Sequence, residues 1–133
     1  MIEQASVFWA KAIESLAGAE SEYANGRYNN CANRCYYACF QAAIHALLQA
    51  GIRPTGRQVE WGHAFAQARF VGELINRRKL YPASLRDVLS RTLFLRQVAD
   101  YKSEQVSQTQ AYRAVRSVRQ FLKAIQSRGG ETR

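Results

Sequence analysis

The sequence predicts an all-α protein, an up-and-down antiparallel bundle of about five helices. Apolar residues recur at three- and four-residue intervals along most of the chain, and the strict alternation typical of strands is hard to find. The connections between the helical segments are short, which favours antiparallel neighbours. Because 133 residues with 47% hydrophobic content can bury a core of their own, we predict one domain over residues 1–127 and a frayed tail at 128–133.

The first two helices are predicted at residues 3–24 and 28–50. Between them lies the turn ANGR, in which Asn25 and Gly26 suit the left-handed conformation that ends a helix. The second helix, YNNCANRCYYACFQAAIHALL, carries apolar or aromatic groups on almost every face and stops at Gly51. A helix that is apolar all round is normally buried, so we predict that it forms the centre of the core.

Three further helices are predicted at residues 58–78, 84–102 and 107–127. They follow the loop GIRPTGRQ, whose proline and glycines interrupt any continuing helix. Two of the starts match the capping box, in which a hydroxyl and a side chain three residues later satisfy free backbone amides. These pairs are Ser84 with Asp87 and Ser107 with Gln110.

Three cysteines, Cys31, Cys35 and Cys39, follow one another at four-residue spacing on the second helix. Helical neighbours at this spacing have Cβ atoms about 5 to 6 Å apart, which is too far for a disulfide. The pattern also differs from the C-x-x-C pairs of zinc and thioredoxin-like sites. We predict small buried packing residues, with a metal or redox role as the alternative, and we expect no metal and no cofactor.

Four polar side chains form a stripe at four-residue spacing on the second helix: Asn33, Tyr37, Gln41 and His45. The stripe would line either a polar pocket or a hydrogen-bonded seam against a neighbouring helix or subunit, and we favour the seam. For His45 we expect a satisfied or partly exposed histidine rather than a ligand or a general base.

The charge is strongly asymmetric. The chain has 19 Lys and Arg against 10 Asp and Glu, or +9, but residues 1–26 hold one lysine and four glutamates, or −3, which leaves +12 for residues 27–133. Four cations share about a third of the circumference of the fifth helix: Arg113, Arg116, Arg119 and Lys123. Such a face favours a polyanion or an acidic protein surface as the partner, with general solubility as the alternative. Tyr112 is the single aromatic nearby, so base stacking is unsupported.

The chain has no apolar run long enough to cross a bilayer, and its acidic, periodic N-terminus lacks the features of a secretory signal. We therefore expect a cytoplasmic protein that does not bind membranes.

Two motifs resemble the HEPN domain family (higher eukaryotes and prokaryotes nucleotide-binding). They are the YYACFQAA stretch of the second helix and LRQVADY, which matches an R-x-x-A-D-Y element, and the similarity extends over residues 10–126. The resemblance implies a helix bundle that commonly dimerises. It also implies a genomic pairing with a minimal nucleotidyltransferase, often as toxin and antitoxin, in which active HEPN members are RNases.

The chain departs from the RNase members of that family. These carry R-x(4–6)-H, whose arginine and histidine meet between two subunits, whereas here Tyr101 stands five residues after Arg96 and no histidine follows His63. Gln41 likewise stands where relatives often have histidine. A phenol with a pKa near 10 is a poor general base at neutral pH. The catalytic candidates are therefore Arg96, Tyr101 and His63.

Arg96 and Asp100 are helical neighbours, and an isolated pair in this order would stabilise a helix by only a few tenths of a kcal/mol. We predict instead a tertiary network with the second helix, involving Asn33, Arg34 or Tyr37. A ligand or RNA phosphate site at these residues, with Tyr101, and a catalytic site are the alternatives to this structural role. Three hypotheses follow. The first, which we favour, is a dimeric binding module for nucleotide, RNA or a nucleotidyltransferase-type antitoxin; the others are a divergent metal-independent RNase toxin using Arg96 and Tyr101 at a dimer interface, and a purely structural accessory protein.

Overall fold

The computed structural model describes residues 2–54 and 60–131, and in this part of the chain the fold is all-α. Five helices pack antiparallel, and no strand occurs among the described residues. The fold class predicted from the sequence is confirmed. The elements in chain order are α1 (Ile2–Ala24), α2 (Tyr28–Gln49), α3 (His63–Arg69), a π-helical continuation of α3 (Phe70–Arg77), a 3-10 turn (Ala83–Leu85), α4 (Val88–Tyr101) and α5 (Gln108–Glu131).

Helix α2 is the centre of the bundle, as its sequence predicts. It packs against α1, α3, α4 and α5, and fourteen of its 22 residues are buried. Among its largest fully buried side chains are Tyr36, Ile44 and Leu47. Because the other helices surround α2, groups from distant parts of the chain meet on its surface.

The three cysteines of α2 are free thiols and are completely buried, so the prediction of packing residues is confirmed. Burial raises the pKa of Cys39 and keeps this thiol neutral. No cluster of three or more His, Cys, Asp or Glu side chains suitable for a metal occurs in the described ranges.

Glycines end the first two helices in the predicted manner. Gly26 (φ +75°) follows α1 and Gly51 (φ +81°) follows α2, both in the left-handed region. After Gly51 the amide of Ile52 returns to donate to the Leu47 carbonyl (2.9 Å). This geometry is the reason that both helices stop abruptly.

Of the two predicted capping boxes, one is confirmed and one is wrong. The Ser107 amide donates to Gln110 Oε1 (2.9 Å) and the Gln110 amide donates to Ser107 Oγ (3.1 Å). Ser84 instead lies within the 3-10 turn that follows Pro82, and α4 begins only at Val88. Proline fixes the chain in an extended entry to this turn, so the hydroxyl of Ser84 is placed too early to cap the helix.

The other boundaries differ from the predicted ones at the third and fifth helices. The third helix begins at His63, because Gly62 is extended (φ −93°, ψ 155°), and residues 58 and 59 of the predicted span lie outside the described part. Its second half widens into a π-helix, which the apolar spacing did not indicate. Helix α5 continues to Glu131, past the predicted end at 127. None of the described helices combines the length and the apolar composition needed to cross a bilayer.

Candidate functional site

The predicted network around Arg96 exists, and it joins α4 to α2. Arg96 Nε donates to Asp100 Oδ2 (3.1 Å), and Asn33 Nδ2 donates to the same carboxylate oxygen (3.1 Å). The side chains of Arg96 and Asp100 are only 15% and 25% exposed. Asp100 therefore receives both a guanidinium from its own helix and an amide from α2.

Tyrosine rings complete the surroundings of Arg96. Its guanidinium carbon lies 5.1 Å from the centroid of the Tyr37 ring and 5.8 Å from that of Tyr36. Arg34 also lies 5.1 Å from the Tyr37 centroid and donates through Nη2 to Asn33 Oδ1 (2.8 Å). Cations are attracted to aromatic faces, most strongly where water is excluded. Two arginines and one aspartate leave this group with a net charge of +1.

The structure adds His63 to this group. His63 is the first residue of α3, and its Nδ1 is hydrogen-bonded to the hydroxyl of Tyr36. The imidazole also packs edge-on against the Tyr36 ring (5.2 Å between centroids) and against Phe40 (5.0 Å). We call Asn33, Arg34, Tyr36, Tyr37, His63, Arg96 and Asp100 the Arg96 cluster.

The protonation of His63 follows from its neighbours. Tyr36 is 2% exposed, and burial raises its pKa, so the phenol keeps its proton. Its hydroxyl has no other hydrogen-bond partner among the described residues, so it donates to Nδ1 and leaves the imidazole proton on Nε2. Partial burial and the positive charge of Arg96 lower the pKa of His63. His63 is therefore a neutral imidazole at pH 7 that is partly open to solvent.

Tyr101 does not join the cluster. It follows Arg96 by five residues, which places it about 140° around the helix, and its side chain is 74% exposed. Within one chain the structure therefore brings Arg96 together with His63 and separates Arg96 from Tyr101.

The polar stripe of α2 divides between two neighbours. Residues at four-residue spacing advance about 40° per step around a helix, so Asn33 and Tyr37 face α4 while Gln41 and His45 face α1. The Gln41 amide lies 2.7 Å from Ser15 Oγ, and His45 Nδ1 lies 2.6 Å from the Ala5 carbonyl oxygen. The seam is confirmed for this second pair, and His45 is a satisfied histidine whose pKa is lowered by burial.

Comparison with known families identifies the fold. A sequence profile of the HEPN domain matches residues 5–128. The chain belongs to the HEPN domain family. No curated protein matches the chain.

The cationic face of this HEPN domain lies on α5 and is partly neutralised. Arg113, Arg116 and Lys123 are exposed and have no ion pair within the described residues. Arg119 differs, because its Nη2 lies 2.5 Å from Glu20 Oε2 on α1. The four predicted cations lie on α5, and one of them, Arg119, is paired with an acid from another helix.

Tyr36 is the member of the Arg96 cluster that the sequence did not indicate as a site residue, although its hydroxyl is hydrogen-bonded to His63. A four-residue spacing of Tyr36 and Phe40 on the face of α2 near Arg96 was the available signal, since both rings contact the same imidazole. The link from α2 to the start of α3 crosses a loop and carries no such signal.

Proposed function

We propose that this HEPN domain is a binding module without catalytic turnover. It acts as a homodimer in a toxin–antitoxin-like pair with a minimal nucleotidyltransferase, and it binds nucleotide, RNA or the partner protein. The observation that carries the proposal is the position of Arg96 inside the fold, where its Nε donates to Asp100 and two tyrosine rings lie beside its guanidinium.

The geometry of Arg96 disfavours phosphodiester cleavage. A phosphate bound there would share the guanidinium with the Asp100 carboxylate, which accepts from Arg96 Nε and also from Asn33. The negative charge of that carboxylate would repel a phosphate held at the same guanidinium. Tyr101 points away from Arg96 and, as a phenol, is a weak base at neutral pH. These facts support a structural role for Arg96 in a binding protein.

The surface supports binding to an anion. Arg113, Arg116 and Lys123 project together from α5 and can neutralise the charges of a polyanion, which releases the counterions condensed on it. The expected affinity is therefore strongly dependent on salt, as it is for phosphate backbones and for acidic protein surfaces.

The proposed homodimer has a candidate contact surface on α4. Phe94 (58% exposed) and Tyr101 (74% exposed) lie on the outer face of this helix, opposite the side that packs on α2. Exposed large aromatic side chains on one face of a helix are typical of protein contact surfaces. Sedimentation velocity with a Phe94→Ser variant tests this assignment, and a variant that dimerises as the wild type does would exclude this face.

The second candidate function is a divergent RNase, and the position of His63 favours it. This imidazole shares the Tyr36 ring with Arg96, so an arginine and a histidine stand in one cluster although R-x(4–6)-H is absent. In a dimer, Tyr101 of the second copy would be the remaining candidate group.

An RNA cleavage time course separates the two functions. Wild type is compared with Arg96→Ala and His63→Ala, after circular dichroism and sedimentation have shown that each variant is folded and has the wild-type oligomeric state. The binding module predicts no cleavage by any of them, together with salt-dependent binding of an RNA oligonucleotide or nucleotide that weakens in an Arg113→Ala, Arg116→Ala double variant. Cleavage by wild type that is lost in both folded variants would replace the proposal with the RNase.

A further inference from the structure

A small apolar slot lies between α4 and α5. Each helix contributes four residues at positions i, i+3, i+4 and i+7, so two matching stripes face one another across a cavity of about 160 Å³. The lining residues are Val88, Arg91, Thr92 and Leu95 of α4 and Gln110, Arg113, Ala114 and Ser117 of α5. The small side chains of Ala114 and Ser117 leave the gap open.

The floor of the slot is largely apolar. Val88 and Ala114 are buried apolar residues, and Leu95 is half-buried. Thr92 is also buried, but its hydroxyl donates to the carbonyls of Val88 (2.8 Å) and Leu89 (3.1 Å). Because a largely apolar surface solvates a phosphate poorly, the slot suits an apolar group. An apolar cavity of about 150 Å³ is known to hold a benzene ring, so the slot has room for one apolar side chain.

The rim of the slot is cationic on both sides. Arg91 stands on α4 and Arg113 on α5. Arg91 pairs with Asp87 (3.2 Å), but both side chains are more than half exposed, and such pairs contribute little. Arg113 has no ion pair in the described part of the chain. Two guanidiniums can therefore donate hydrogen bonds to carboxylates of a partner, one on each side of an apolar side chain in the slot.

We propose that the slot is the docking site for an acidic segment of a partner protein, which inserts one apolar side chain and places carboxylates on Arg91 and Arg113. The inference rests on the proposed function and specifies the chemistry of its protein partner. Charge complementarity supports it, since residues 27–133 carry a net charge of +12. RNA fits the slot less well, because no aromatic side chain lines it for base stacking.

Selection from a displayed library of random peptides, a few helical turns long, tests the inference. Wild-type protein is the bait, and enriched peptides are then measured by fluorescence anisotropy against three variants. Ser117→Leu fills the slot, Arg113→Glu reverses one rim charge, and Lys102→Glu makes the same charge change at an exposed position outside the slot and outside the cationic face of α5. We expect the enriched peptides to share an apolar residue flanked by Asp or Glu. Ser117→Leu and Arg113→Glu should weaken binding by about tenfold or more, and Lys102→Glu by less than about threefold.

Four results would overturn the inference. These are enriched peptides without acidic residues, enriched peptides without the apolar residue, equal binding by Ser117→Leu, and equal losses in Arg113→Glu and Lys102→Glu. Loss of dimerisation in Ser117→Leu would assign the slot to a second copy, and loss of RNA-oligonucleotide binding in that variant would assign it to nucleic acid. Arg113 is exposed, so Arg113→Glu should fold and still test the inference even if Ser117→Leu does not fold.

The same proteins distinguish this failure from failure of the proposed function. RNA cleavage by the wild type would contradict the non-catalytic proposal. It would not change the conclusion drawn from peptide binding to the slot. A dimer that binds RNA without cleaving it, but selects no acidic peptides, would remove only the slot inference.

Discussion

Two arginine-bearing regions of this HEPN domain have opposite environments. Arg96 is largely buried between α4 and α2, with a carboxylate at 3.1 Å and two aromatic rings beside it. Arg113 and Arg116 on α5 project into solvent and have no ion pair within the described residues. The first arginine stabilises the fold, whereas the charges of the other two remain available to a partner. A cation in a family motif is thus informative about binding only after its partners within the fold are known.

The largest expected difference between the regions is in stability. Arg96→Ala should lower the free energy of unfolding by about 2 kcal/mol, because it removes a partly shielded ion pair and two cation–π contacts and leaves Asp100 less well paired. Arg113→Ala should change it by less than about 0.5 kcal/mol, as is usual for an exposed side chain. Urea denaturation of both variants measures the difference.

Arg96→Lys is the matched control for the charge. It keeps one cation near Asp100 but loses the planar guanidinium that stacks on the tyrosines. If Arg96→Ala and Arg113→Ala were equally stable, the comparison between a structural and a free arginine would be wrong.

A smaller effect is expected inside the Arg96 cluster. Asn33 and Asp100 are 67 residues apart in sequence and meet through a bifurcated hydrogen bond from Asn33 Nδ2, 3.1 Å to Oδ2 and 3.5 Å to Oδ1. A double-mutant cycle with Asn33→Ala and Asp100→Ala should give a coupling energy of about 1 kcal/mol, since this bond is made to a charged group that is partly shielded. Urea denaturation of the wild type, the two single variants and the double variant provides the four values. Additive losses would show that α2 and α4 are held together here without this bond.

The sequence was sufficient to predict the helices and part of the cluster. Regular apolar spacing predicted α1, α2 and α5, and the Ser107–Gln110 cap depends only on local spacing. The contact of the Arg96–Asp100 pair with Asn33 and Tyr37 of α2 was predictable, because a weak local ion pair needs further partners. His63 could not be placed, since its position depends on the path of a loop. The Glu20–Arg119 pair could not be predicted either, because it depends on how α1 lies beside α5.

The charge of Arg96 should also be detectable at His63. Arg96→Ala should raise the pKa of His63 toward its usual value near 6.5, because it removes one of the two causes of the lowered pKa and leaves only burial. The chain has two histidines, so an NMR titration contains its own control. His45 packs against α1 beside Trp9, and its pKa should not change. Equal shifts at both histidines would indicate a general loosening of the fold.

Both histidines also predict how the stability of the wild type depends on pH. Their pKa values are lowered in the folded chain, so below about pH 6.5 the unfolded chain binds more protons than the folded one. The stability is therefore at its full value above the pKa of an unfolded histidine. It decreases as the pH falls through that pKa toward the lower pKa values of the folded chain. Urea midpoints measured between pH 7.5 and about pH 5 should therefore decrease, and His45→Gln should reduce the slope.

The smallest effect is expected at the Glu20–Arg119 pair, where a carboxylate from α1 neutralises one cation of α5. Both side chains are substantially exposed, so Glu20→Gln should cost only a few tenths of a kcal/mol in stability. The same substitution adds one free cation to α5 and should strengthen binding of an RNA oligonucleotide or an acidic peptide, most clearly at low salt. Arg119→Gln is the matched variant, because it breaks the same pair without freeing a cation and should not strengthen binding. Equal effects of the two substitutions would mean that the pair orders the surface between α1 and α5 rather than limiting the charge that a partner meets.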